Sequence, residues 1–120
     1  MNIRPWVPAI LWAGFILVLT SIPGARLPHL PVQGIDKIVH LTCYGVLAYL
    51  TFPALSQTTG GMRAAILVML TISVFGALDE WHQQFIPGRT MDLYDWYADT
   101  LGGFLGLLAA IVIRRGSIRS

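Results

Sequence analysis

A chain of 120 residues is one domain by length. Hydrophobic residues make up 55% of it and charged residues only 12%, about half the soluble norm, which excludes an ordinary soluble globule of this size. The net charge of +2, with basic residues that cap apolar runs rather than form a patch, excludes nucleic-acid binding, and the single cysteine, Cys43, excludes an internal disulfide.

The first apolar segment runs from about Pro5 to Ile22, with Pro5 and Pro8 near its start, where helices tolerate proline. A signal peptide cut near Ala25 is the competing reading. An uncleaved helix is preferred, because only Arg4 precedes the apolar run and Arg26 and Pro28 follow the cut. Pro23 to Asp36 holds three prolines and two glycines and reads as an extended surface loop. The second segment spans about Asp36 to Leu55, with Pro53 marking its far end, and Ser56 to Met62 reads as a polar turn.

The third segment starts at Arg63 and spans about 63–84. Its uninterrupted apolar part, Ala64 to Leu78, makes only about 22 Å of helix against a bilayer core of about 30 Å. The helix is therefore expected to continue into Asp79 to Gln83. Pro87-Gly88 then suits the centre of a type II turn. The fourth segment spans about 94–113, and its short apolar part draws Asp99 toward hydrocarbon. The expectation is an all-α membrane protein, a bundle of four transmembrane helices with short loops.

Alternating crossings place all six acids on one side: Asp36, Asp79, Glu80, Asp92, Asp95 and Asp99. Arg4, Arg63, Arg114, Arg115 and Arg119 lie on the other, against Arg26, Lys37 and Arg89 beside the acids. The positive-inside rule then puts both termini in the cytoplasm.

Charges beside hydrocarbon are costly, so each polar group needs a partner or a task. Asp36, His40 and Tyr44 share one helical stripe, with Lys37 beside it. That stripe fits an interhelical hydrogen-bond ladder, a proton shuttle or a metal ligand set. Asp79, Glu80, His82, Gln83 and Gln84 form the second group. Adjacent acids need a compensating cation, and Arg89 is the expected one. Asp92 and Asp95 are candidate caps of the fourth helix, and Asp99 is expected to face the other polar stripes. Gly102 and Gly106 make a GxxxG spacing, read as packing within the bundle ahead of homodimerisation. No zinc, nucleophile-elbow or nucleotide motif occurs, so no metal or other cofactor is expected.

The combination of Asp36-Lys37-Ile38-Val39-His40 with Tyr44, Asp79-Glu80-Trp81-His82-Gln83, Phe85-Ile86-Pro87-Gly88-Arg89 and Asp95-Trp96-Tyr97-Ala98-Asp99-Thr100-Leu101-Gly102 resembles the VanZ-like family of small bacterial membrane proteins. Asp99 departs from the asparagine that family often carries there. The resemblance implies a multi-helix inner-membrane protein, and the namesake is linked to teicoplanin resistance. The expectation for function is an outward polar pocket that binds an envelope lipid, glycan or peptide and affects glycopeptide sensitivity. Its candidate residues are Asp36, Lys37, His40, Tyr44, Asp79, Glu80, His82, Gln83, Arg89, Asp95 and Asp99. The first alternative is an enzyme acting on a lipid-linked envelope substrate, with Glu80 or Asp79 as base, His40 as acid/base and Arg89 as anchor. The second is a purely structural cluster.

Overall fold

A computed structural model describes residues 2–26 and 34–119, and the side chains of these apart from 26 and 115–119. The part of the Pro23–Asp36 loop at 27–33 lies outside the described residues. Four α-helices follow in order: α1 (Val7–Thr20), α2 (Ile35–Thr59), α3 (Gly61–Gln83) and α4 (Leu93–Arg119). Single 3-10 turns at Arg4–Trp6 and Gly24–Arg26 flank α1. The described fold is all-helical, as the sequence leads one to expect.

Three of the helices, α2, α3 and α4, are long and apolar enough to cross a membrane. With only 14 residues, α1 is about 21 Å long and falls short of a bilayer core. It is also shorter at both ends than the 5–22 segment expected, because Arg4–Trp6 winds as a 3-10 turn and the chain leaves helix after Thr20. At the other elements the helices outrun expectation. α2 passes through Pro53 to Thr59 rather than ending at Leu55. Proline removes one backbone donor, a loss that helices in a packed apolar bundle can tolerate. The polar turn expected over Ser56–Met62 shrinks to Gly60, whose φ of 83° lets the chain reverse at one residue. Ser56 and Thr59 stay helical and turn their hydroxyls onto the carbonyls of Pro53 and Leu55. α3 does continue through Asp79 to Gln83, and α4 runs past Ile113.

The helices are apolar all round, so little distinguishes an inward from an outward face by hydrophobicity. The core is built from Ile16, Tyr44, Leu47, Ala48, Phe52, Ala64, Val68, Ile72, Leu107 and Ala110. Large apolar side chains such as Leu11, Val18, Leu70, Val74, Leu78 and Val112 are exposed, while Asp79, Glu80, Asp95 and Asp99 are buried. That inversion is expected of a chain solvated by lipid.

α2 and α4 pack most closely. A Cβ on Gly106 would run into the backbone carbonyl of Gly45, and one on Gly102 into that of Leu41. The GxxxG spacing therefore serves the α2–α4 crossing inside the bundle. Indole N–H groups tie the remaining helices: Trp12 donates to the Cys43 carbonyl at 2.8 Å, and Trp96 to the Ser73 carbonyl at 2.9 Å. At the end away from the acids, Arg114 reaches the Ser56 hydroxyl and lies 5.7 Å from the Phe52 ring centroid.

Gly106→Ala is expected to push α2 and α4 apart and cost about 1–3 kcal/mol, as overpacking does. Gly14→Ala, where a Cβ meets nothing, serves as the control. Thermal unfolding in detergent reads both, and equal stability of the two variants would contradict the close crossing.

Candidate functional site

The first turns of α2 and α4 and the last turn of α3 meet at one end of the bundle, and all six acids meet there with them. Lys37 is the hub of the outer layer. Its ammonium donates to Asp92 and Asp95 at 2.6 Å each and to Asp36 at 2.9 Å. Asp92 also caps α4, its Oδ1 accepting from the Tyr94 N–H at 2.9 Å, as the capping expectation had it. The Lys37 ammonium and this N–H hold the Asp92 carboxyl below its ordinary value of 3.8.

The inner layer centres on His40. Its Nδ1 lies 2.7 Å from Asp99 Oδ1, and its Nε2 lies 3.7 Å from Asp95 Oδ2. Glu80 Oε1 stands 4.0 Å from His40 Nδ1, and Oε2 accepts the Asp92 N–H at 3.1 Å. Asp95 thus bridges the layers, giving Oδ1 to Lys37 and facing His40 with Oδ2. Glu80 and Asp99 are 3% and 0% exposed, yet Glu80 Oε1 and Asp99 Oδ2 have no hydrogen-bond partner within the chain. His40, Glu80 and Asp95 offer ligand atoms within 4.8 Å of one another, a geometry open to a metal ion or to proton exchange.

Asp79 stands apart from this cluster. Tyr44 donates to its Oδ2 at 3.0 Å and Thr20 to its Oδ1 at 2.8 Å. One carboxylate so joins α1, α2 and α3, and both oxygens are engaged. Tyr44 is drawn into this staple rather than toward His40. Thr20 was missed in the sequence; its only signal is a hydroxyl ending an apolar segment at the depth of Asp79.

Arg89 does not neutralise Asp79 and Glu80 as expected. Its guanidinium donates to the carbonyls of Ile22 and Leu19 at 3.0 and 3.1 Å. Leu19 lies in the last turn of α1 and Ile22 two residues past its end, where no further helix supplies donors and the helix dipole favours a cation. The reason is the type II turn itself. The Arg89 N–H closes it onto the Ile86 carbonyl at 3.0 Å, with Gly88 at φ 76°. The Gly24 N–H then docks on the Pro87 carbonyl at 2.8 Å, which aims Arg89 at α1. Gln83 is buried with Nε2 unpartnered, and His82 is half-buried with Nδ1 unpartnered. No side-chain hydrogen bond or ion pair among the described residues joins either to the His40 cluster.

Residues 5–114 match the family model described as VanZ/LLP1. The chain belongs to the VanZ/LLP1 family. The resemblance read from the sequence motifs thus holds across nearly the whole chain. It is also similar to an uncharacterized protein of the fission yeast Schizosaccharomyces pombe, 33% identical over 101 residues. The alignment covers 83% of this chain and 60% of that protein, so the chain spans little more than half the length of the relative. No solved structure matches significantly. Within this VanZ/LLP1 chain the motif residues sort into three devices: a Lys37–His40 carboxylate cluster, an Asp79 staple and an Arg89 clamp.

Two measurements check this sorting. Tyr44→Phe and Thr20→Val are each expected to cost about 0.6 kcal/mol, the average for interhelical hydrogen bonds in membranes. Combined, they should fail to add, because they share Asp79; strict additivity in detergent unfolding would contradict the staple. For Asp92, a folded value held below the ordinary one means its contribution is complete above that value and is lost as pH falls through the folded value. Asp92→Asn is therefore expected to lose less stability than wild type between neutral pH and about pH 3. Identical pH profiles would count against the Lys37 contact.

Proposed function

We propose that the Lys37–His40 carboxylate cluster is the working site of an integral membrane protein and that it binds the polar part of an envelope lipid, glycan or peptide. The observation that carries this reading is the pair of buried, unpartnered carboxylate oxygens, Glu80 Oε1 and Asp99 Oδ2. A purely structural network would satisfy its own groups, since burying an unpaired polar group costs about 1–3 kcal/mol. The Asp79 staple is what such a closed network looks like in the same chain.

The chemistry of the site selects the partner. Acids outnumber the Lys37 ammonium among the described side chains, and Arg89 is spent on α1. The partner therefore brings donors or positive charge, such as sugar hydroxyls or an amine headgroup, and not a bare phosphate. This moves Arg89 from ligand anchor to clamp. We further propose that α1 crosses the membrane with the other three helices and that both termini lie in the cytoplasm of a bacterial inner membrane. The support is the excess of basic residues at the end opposite the cluster. An effect on sensitivity to glycopeptides such as teicoplanin is the physiological readout this reading favours.

An enzymatic second reading draws on one observation. Asp99 Oδ1 at 2.7 Å fixes Nδ1 of His40 and leaves Nε2 available as acid or base on a lipid-linked substrate. Glu80 rather than Asp79 is then the partner carboxylate, because both Asp79 oxygens are engaged.

Glu80→Gln keeps the shape and the acceptor for the Asp92 N–H while removing the charge. Wild type purified from native membranes is expected to retain a lipid or lipid-linked species, read by native mass spectrometry, that Glu80→Gln loses. A strain carrying Glu80→Gln at wild-type abundance should show the teicoplanin sensitivity of a deletion strain. An unchanged lipid complement together with full complementation would sink the proposal.

A further inference from the structure

The sequence holds no metal motif because the relevant side chains come from three different helices. Nδ1 of His40 is committed to Asp99 Oδ1 at 2.7 Å. That contact is the carboxylate–histidine arrangement which orients metal-binding imidazoles and raises their basicity. The remaining nitrogen, Nε2, faces Asp95 Oδ2 at 3.7 Å. Two ligands at about 2.1 Å from a tetrahedral metal stand roughly 3.4 Å apart, so this pair needs little adjustment. Glu80 completes the set from α3. Its Oε1 is buried and unpartnered, and its Oε2 is fixed by the Asp92 N–H at 3.1 Å. Oε1 stands 4.0 Å from Nδ1 of His40, so it joins Nε2 only by swinging along the ring edge, within a set of ligand atoms from the three residues that lie inside 4.8 Å of one another. Lys37 holds the far oxygen of Asp95 at 2.6 Å and leaves the near one to the cluster.

We propose that His40 Nε2, Glu80 Oε1 and Asp95 Oδ2 form a binding site for one divalent first-row metal ion, with Asp99 as the positioning carboxylate behind His40. One imidazole and two carboxylates suit Mn²⁺, Fe²⁺ or Zn²⁺ over the purely oxygen-bound Ca²⁺ and Mg²⁺. The ion supplies the positive charge that Arg89 does not, between Glu80 and Asp95 at the point where their oxygens converge. Three protein ligands leave a coordination position open, the pattern of a site that holds water or a substrate oxygen. The inference uses the same cluster as the proposed binding function but is separable from it, because metal uptake and lipid retention are measured independently.

The test is Mn²⁺ binding to the full chain in detergent after treatment with chelator, followed by calorimetry and electron paramagnetic resonance. Wild type is expected to take up one equivalent of Mn²⁺ saturably, with a ¹⁴N coupling from His40. Glu80→Gln is expected to bind at least about tenfold more weakly. Gly14→Ala, in α1 and away from the cluster, where a Cβ meets nothing, is expected to bind as wild type does. No saturable uptake of Mn²⁺ or Zn²⁺ by wild type, or equal uptake by Glu80→Gln, overturns the proposal. Should Glu80→Gln fail to fold, the nitrogen coupling in wild type decides: bound Mn²⁺ without it means the His40 site is wrong. Absent metal with lipid retention still dependent on Glu80 rejects the metal and leaves the binding function standing; bound metal with lipid retention indifferent to Glu80 does the reverse.

Discussion

Hydrocarbon on the outside leaves the polar side chains of this chain only one another. Large apolar residues cover the outward faces while four carboxylates are buried. Charges in that setting are stable only where partners converge, so the register of the helices is set by polar contacts at one end. Lys37 fixes α2 against the start of α4, His40 fixes the same pair one turn deeper, and Asp79 brings α1 and α3 to Tyr44. Lipid offers no hydrophobic drive between helices, which makes such contacts and close backbone packing the means of association.

The close α2–α4 crossing and the His40 cluster depend on each other. Gly102 and Gly106 let α4 approach the backbone of α2 at Leu41 and Gly45. His40 and Asp99 sit just before those contacts in their helices, and their 2.7 Å separation follows from that approach. The clamp around Arg89 works on a different joint. It ties the turn after α3 to the end of α1, through the Gly24–Pro87 and Arg89–Ile22 contacts. It thereby places the chain that leads into Asp92, whose N–H holds Glu80.

Two kinds of buried carboxylate therefore coexist within a few residues. Asp79 accepts from two hydroxyl donors and closes its network. Glu80, its neighbour in sequence, keeps one buried oxygen without a partner. Neighbours on a helix point about 100° apart, so one faces α1 and α2 and the other the His40 side. Closed and open hydrogen bonding are divided by that rotation and not by residue type.

Much of this was legible in the sequence. Apolar segment lengths against bilayer thickness gave the all-helical architecture and the continuation of α3 through Asp79 to Gln83. The spacing of Pro87 and Gly88 gave the turn, and the motif set gave the VanZ/LLP1 family. Helix ends were read less well, since Pro53 and the Ser56–Thr59 polarity look like breaks but remain helical in a packed bundle. That the polar stripes converge was legible, and Asp99 does meet His40 as expected, but most individual partners were not. Arg89 was assigned to the adjacent acids Asp79 and Glu80 before the turn, whereas the docked turn aims it at carbonyls roughly seventy positions earlier. The convergence of His40, Glu80 and Asp95 was expected, but which of their atoms face one another is set only when three helices meet. Composition and periodicity fix what each segment must avoid, namely water or hydrocarbon. Which polar group answers which is decided only when the helices pack, because in lipid the choice of partner depends on rotation and depth that no local pattern encodes.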